Sequence, residues 1–153
     1  MNPPARTRKQ RTQDTLDRLE TDVDVWVSTA DSAGGAPYLV PLSYLWDGTT
    51  VLLATPAASP TGRNLRATGT VRLGLGPTRD VVMIEGTVRT LEADELPEGT
   101  GDAFAARTGF DPRGLSTHYR YFSVTPVRVQ AWREADELSG RDLMRDGAWL
   151  VAD

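Results

Sequence analysis

Val51-Leu52-Leu53-Ala54-Thr55-Pro56-Ala57-Ala58-Ser59-Pro60-Thr61-Gly62-Arg63-Asn64-Leu65 is the stretch that decides the fold. Val51 to Thr55 forms an unbroken apolar run closed by a β-branched residue, which predicts a buried strand. Ser59 followed by Pro60 then reads as a helix start. A serine at the N-cap accepts a hydrogen bond from the first turn, and proline fits the first helical position. That first turn carries N–H groups without intrahelical partners and the positive end of the peptide dipole. Arg63 adds a fixed positive charge with a planar fork of donors. On the residues alone the segment has two readings: a phosphate-binding turn, or a capped surface helix with a solvated arginine.

Outward from this segment the chain is rich in strands. Thr12 to Glu20 places Leu16 and Leu19 at helical spacing among charges and predicts a short amphipathic helix. Val23 to Thr29 alternates with period two, as a half-buried strand does. Pro37 to Trp46 predicts a long strand apolar on both faces, one for a core and one for a helix, a ligand or a second subunit. Asp47-Gly48 is a hairpin signal leading back to Val51. Beyond Gly69, which ends the helix, strands are expected at Val71–Leu75, Val81–Leu91 and Tyr119–Trp132. Pro126 shifts the apolar parity from Phe122 and Val124 to Val127 and Val129, which suggests a bulge. Residues 92–118 break the β pattern, with helical tendency around Phe104 and interruptions at Pro97, Gly99 and Gly101. Residues 144–150 close the chain as a small hairpin. Six strands in sequential hairpins with short helices inserted predict a mainly β protein, a small antiparallel barrel.

Composition narrows the chemistry. At 153 residues with a net charge of −4, the chain reads as one domain over residues 12–153. A flexible basic N-terminus is expected over residues 1–11, with Arg6, Arg8, Lys9 and Arg11. The acidic balance argues against nucleic-acid or anionic-membrane binding. The absence of cysteine excludes disulfides, thiolate metal sites and thiol nucleophiles. With His118 as the one histidine and no G-x-S-x-G elbow, neither a zinc site nor a serine triad is expected. No apolar run approaches the roughly 20 residues of a membrane-spanning helix. The expected location is the cytoplasm.

The order and spacing of these pieces resemble the pyridoxamine-5′-phosphate-oxidase-like flavin-binding split barrels, and within them the actinobacterial flavin/deazaflavin oxidoreductases. The resemblance runs from about Leu16 to Trp132. It rests on Pro37 to Ser43, Asp47-Gly48, Leu53-Ala54-Thr55, Ser59 with Arg63-Asn64-Leu65, Val71-Arg72-Leu73 and Glu85-Gly86. It implies a six-stranded antiparallel split β-barrel of the FMN-binding type, assembled as a homodimer with a cofactor site at the interface. Carried over position by position, Arg63 and Asn64 would meet the FMN phosphate, and Thr55 and Ser59 would add hydroxyl contacts. The backbone of Val40, Pro41, Leu42 and Ser43 would line the flavin ring, and Trp132 would approach from the partner's last strand. The Arg-x-His-x-Arg element of true pyridoxamine phosphate oxidases is missing from 137–149, which argues against pyridoxal phosphate synthesis.

The implied activity is hydride or electron transfer between FMN and a small-molecule substrate. No catalytic acid or base is named by the sequence, although Tyr44 and Tyr119 are possible proton donors. Two alternatives accompany this reading. A deazaflavin, with its longer anionic tail, would call on Arg66, Arg72 and Arg79. A non-catalytic split barrel would bind flavin, or simply dimerise, without turnover.

Overall fold

A computed structural model of the chain describes residues 3–150. Six strands close into a barrel: β1 (Asp24–Ala30), β2 (Pro37–Trp46), β3 (Val51–Pro56), β4 (Thr70–Leu75), β5 (Val81–Leu91) and β6 (Tyr119–Trp132). Every neighbouring pair is antiparallel, and the ring runs β1–β2–β3–β6–β5–β4 and back to β1. The closing pairing joins β3 to β6, with Val51 opposite Val124 and Pro56 opposite Tyr119. A short hairpin, β7 (Asp142–Arg145) and β8 (Ala148–Trp149), extends the sheet beyond β6.

Strand alternation fills the barrel. Val25, Val27, Leu53, Leu73, Ile84, Phe122 and Val124 point inward and are buried, each worth about 1.5–3 kcal/mol against exposure. β6 keeps its apolar register despite Pro126 because Glu85 pairs with Arg128 and Gly86 with Pro126, which leaves Val127 as the extra, bulged residue. A second, smaller cluster lies on the outer side of β3 and β6. There α3 (Thr100–Thr108) seats Phe104 edge-on against Tyr121 at 5.5 Å between ring centres. The expected helical region is thus two pieces, a 3-10 turn at Ala93–Glu95 and α3, separated by the Pro97–Gly99 break.

The N-terminal expectation needs correction. Helix α1 spans Arg8–Thr21, starting four residues before the predicted Thr12, with Thr7 as its cap and the Gln10 N–H donating to the Thr7 hydroxyl at 3.1 Å. Within 3–11, Arg6 and Arg11 are anchored rather than solvated. Arg6 donates to the Glu137 carboxylate through its backbone N–H at 2.8 Å, Nε at 3.0 Å and Nη2 at 2.8 Å. Arg11 is buried and donates to the carbonyls of Ala131 and Glu137 at 3.1 and 2.9 Å. These partners lie 120 residues or more away in the chain, so nothing local announces them. Residues 1 and 2 of the expected tail, and 151–153 at the other end, lie outside the described residues.

Glu137 is 2% exposed, and the Arg6 hydrogen bonds push its carboxyl down from 4.5 to about 2. The stability this pair supplies is therefore complete above the unfolded value and is lost as pH falls from about 4.5 toward 2. Removing one partner of a buried pair strands the other charge, which costs about 3 kcal/mol or more. Glu137→Ala is expected to lose that much in urea denaturation at pH 7, and to show a flatter fall in stability between pH 5 and pH 2.5. A loss under about 0.5 kcal/mol, the scale of exposed pairs, would contradict the anchoring role.

Candidate functional site

The segment between β3 and β4 is helix α2, Pro60–Thr68, with Ser59 at its N-cap and Gly69 at its C-cap in the left-handed region (φ 64°). The Gly62 N–H donates to the Ser59 hydroxyl oxygen at 3.0 Å, and that hydroxyl donates to the Pro56 carbonyl at 2.8 Å. Thr55 is buried and meets the Ser59 hydroxyl at 3.4 Å. The Arg63 N–H is taken by the Ser59 carbonyl at 2.9 Å. Gly62 is required by close approach: a Cβ there would run into the Pro56 carbonyl oxygen and crowd that of Ala57. Leu65 is fully buried beneath the helix, and Asn64 donates from Nδ2 to the buried Thr29 hydroxyl on β1 at 3.1 Å. These contacts fix the rotation of α2 about its own axis.

That rotation leaves Arg63 exposed. It lines a hollow of about 390 Å³ with Asn64 and Pro60 of α2, Asp31 of the β1–β2 turn, and Pro37 and Tyr38 at the start of β2. Arg63 and Arg66, one turn apart on α2, form no salt bridge among the described residues. The hollow therefore combines one guanidinium that forms no salt bridge, the Asp31 carboxylate of the facing turn and the outward start of β2; a guanidinium beside apolar surface suits an anionic group attached to a flat apolar body.

The other residues expected at the site are placed as follows. Val40 and Leu42 pair with Val27 and Val25 and turn their side chains to the core, so only their backbone is free to line a ligand. Pro41 points outward opposite Trp26. The Ser43 hydroxyl donates to Asp24 at 2.7 Å. Trp132 lies at the far end of β6, opposite Val81, with the Arg141 guanidinium 5.4 Å over its ring. Within one chain, then, Arg63 and Asn64 share the hollow, Thr55 and Ser59 hold the helix that carries them, and Trp132 stands apart.

Tyr44 is not placed to donate a proton outward. It is 1% exposed, its hydroxyl donates to the Leu19 carbonyl at 2.9 Å, and burial raises its pKa above the ordinary phenol value. Tyr119 packs against Phe110 at 5.5 Å. One titratable cluster was not legible in the sequence: Glu92 meets His118 Nε2 at 2.8 Å and accepts from Arg120 Nε at 2.8 Å. Those two partners hold the Glu92 carboxyl below its usual value. No group of three or more His, Asp or Glu among the described residues is arranged to hold a metal ion, and no described helix is long and apolar enough to cross a membrane.

The outer wall opposite β3 and β6 carries an uncovered apolar row. Pro41, Trp26, Gly74 and Met83 follow one another across β2, β1, β4 and β5. Trp26 is 52% exposed, Met83 41%, and neighbouring Leu39 59%.

A closed antiparallel barrel with a capped helix set between its third and fourth strands defines a split-barrel protein. Residues 12–133 match the family model described as pyridoxamine 5′-phosphate oxidase, and the chain belongs to that family. No curated protein sequence matches the chain. Among solved structures it is similar to a protein of unknown function from Agrobacterium tumefaciens, with TM-score 0.70 and 17% identity over 87% of this chain; the chain spans 60% of that protein's length. A heme binding protein from Mycobacterium smegmatis aligns with TM-score 0.67 and 17% identity, over 96% of this chain and 60% of its own. An F420 reductase aligns with TM-score 0.59 and 17% identity, over 74% of this chain and 93% of its own. At these identities the likeness is one of fold.

Ser59→Ala is expected to cost about 1 kcal/mol through loss of the cap. Gly62→Ala should cost more, because backbone rather than a flexible side chain must move. Thermal unfolding of the two variants checks the order; a silent Gly62→Ala would show that α2 is not pinned against the strand end.

Proposed function

We propose that this protein is a flavin-dependent oxidoreductase that binds FMN and works as a homodimer. The observation that carries the reading is the unpaired Arg63 guanidinium beside the apolar start of β2, on a helix whose orientation is locked by Ser59, Gly62 and Asn64. Family membership supports it. Bound FMN would supply the hydride and electron chemistry. The chain's part is to bind and orient. Arg63 holds the phosphate with charge-assisted hydrogen bonds, and the Val40–Ser43 backbone offers donors and acceptors along a ring edge. Thr55 and Ser59 act through the helix rather than on the phosphate, since their hydroxyls already serve its cap.

The homodimer reading draws on the row of Pro41, Trp26 and Met83. An exposed tryptophan flanked by Leu39 and Met83 is the composition of an interface core rather than of a solvated wall. FMN is favoured over a deazaflavin by the state of the basic residues that a longer anionic tail would need. Arg72 pairs with Glu85 at 2.6 Å and Arg79 with Glu134 at 3.2 Å, which leaves Arg66 alone of the three. The F420 reductase of similar fold makes the deazaflavin the comparison to run.

Arg63→Ala is expected to weaken FMN binding by about 1.5–3 kcal/mol, roughly ten- to hundredfold, in a flavin-fluorescence titration against both FMN and the deazaflavin. An unchanged FMN affinity would place the phosphate elsewhere; tighter deazaflavin binding would select the other cofactor. Bound FMN that shows no turnover when NADH or NADPH and an electron acceptor are supplied would point to the non-catalytic alternative. Separately, Trp26→Glu should convert a dimer into a monomer at micromolar concentration by sedimentation velocity, and a wild-type monomer would overturn the shared interface.

A further inference from the structure

A second hollow among the described residues is larger than the one at Arg63. It measures about 580 Å³ and lies between the outer face of β2, β3, β6 and β5 and the inserted segment that runs from Glu95 to Ala103. It shares no lining residue with the Arg63 hollow, and its size falls within the range of about 300–1,000 Å³ usual for small-molecule sites.

Its floor is one row of the sheet. Leu45 pairs with Leu52, Leu52 with Ser123, and Ser123 with Arg89. Three inter-strand steps make the row roughly 14 Å long. It grades from two leucines, through a hydroxyl, to a guanidinium. Leu91 adjoins the row, and Leu96, Pro97 and Ala103 of the insertion wall it over the apolar part.

The charges sort themselves. Asp47 is spent on its own turn, accepting from the backbone and hydroxyl groups of Thr49 and Thr50. Glu95 accepts from the Glu92 N–H at 2.8 Å in a capping box. Arg89 forms no salt bridge among the described residues. Glu98 on the rim is the remaining uncommitted carboxylate, and it disfavours a second negative charge on anything bound.

We infer that this cleft binds a small apolar monocarboxylate, medium-chain or aryl, with its hydrocarbon on Leu45 and Leu52 and its carboxylate against Ser123 and Arg89. The site is separate from the proposed FMN site and does not depend on it. A hydrocarbon of about eight carbons fills the leucine stretch, and a charge-assisted pair with Arg89 fixes its direction.

The test is calorimetric titration of the full chain with octanoate, octylammonium and octanol. Saturable octanoate binding is expected, at least tenfold tighter than octylammonium. Arg89→Ala should erase that preference, and Ala103→Trp, which fills the cleft from an exposed helix position, should abolish binding, both with unaltered melting temperature. Arg63→Ala should bind octanoate as the wild type does. No octanoate binding, equal binding of acid and amine, or binding that survives Ala103→Trp would each overturn the assignment.

Discussion

The pairing of β3 with β6 is the constraint on which the rest of this structure depends. Six consecutive residues of β3 find partners on β6, and the six strands close into a ring in which β2 keeps an unpaired stretch, Pro37 to Ser43, on its β3 side. Closure has a local consequence at Pro56, where β3 ends against Tyr119. The chain must turn there, and the Ala57 N–H donating to the His118 carbonyl at 2.9 Å holds the turn. Ser59 then stands where its hydroxyl can bond both the strand end behind it and the helix ahead of it. The position of Arg63 follows from a sheet closure rather than from its own contacts.

The same closure gives the barrel two unlike outer walls. On the β3/β6 side the inserted α3 seats Phe104 on Tyr121 and roofs a cleft whose floor is graded from leucine to arginine. On the β1/β4 side the described residues leave Trp26 half exposed. One wall carries the cleft proposed for a small ligand and the other the apolar row proposed as the dimer interface. A further chain-spanning element, the Arg6–Glu137 pair, ties α1 to the segment after β6 and ends the expectation of a loose basic tail.

Much of the fold was legible because its signals are local. Turn residues such as Asp47-Gly48 bracket the strands, so β2, β5 and β6 fall at the bounds expected from their apolar runs. The parity change at Pro126 marks a real bulge because a strand that keeps one face buried cannot change register without an extra residue. Ser59 and Pro60 predict the start of α2 for the same reason. What was not legible depends on partners distant in sequence. Arg6 and Arg11 read as solvated charges because Glu137 is unseen from residue 6. Tyr44 reads as a donor until the Leu19 carbonyl takes its hydroxyl. Thr55 and Ser59 carry the right chemistry for a phosphate, yet their hydroxyls meet each other and the cap of α2, while Asn64 gives one Nδ2 hydrogen to Thr29, a partner that cannot be read from the local sequence.

The central claim is that Arg63 receives the cofactor phosphate. The most direct measurement is the crystal structure of the protein with FMN. The account predicts the phosphate within hydrogen-bond distance of the Arg63 guanidinium, beside Pro60 and Tyr38, with α2 unmoved. A phosphate held elsewhere on the barrel, or an FMN that never enters the Arg63 hollow, would contradict it.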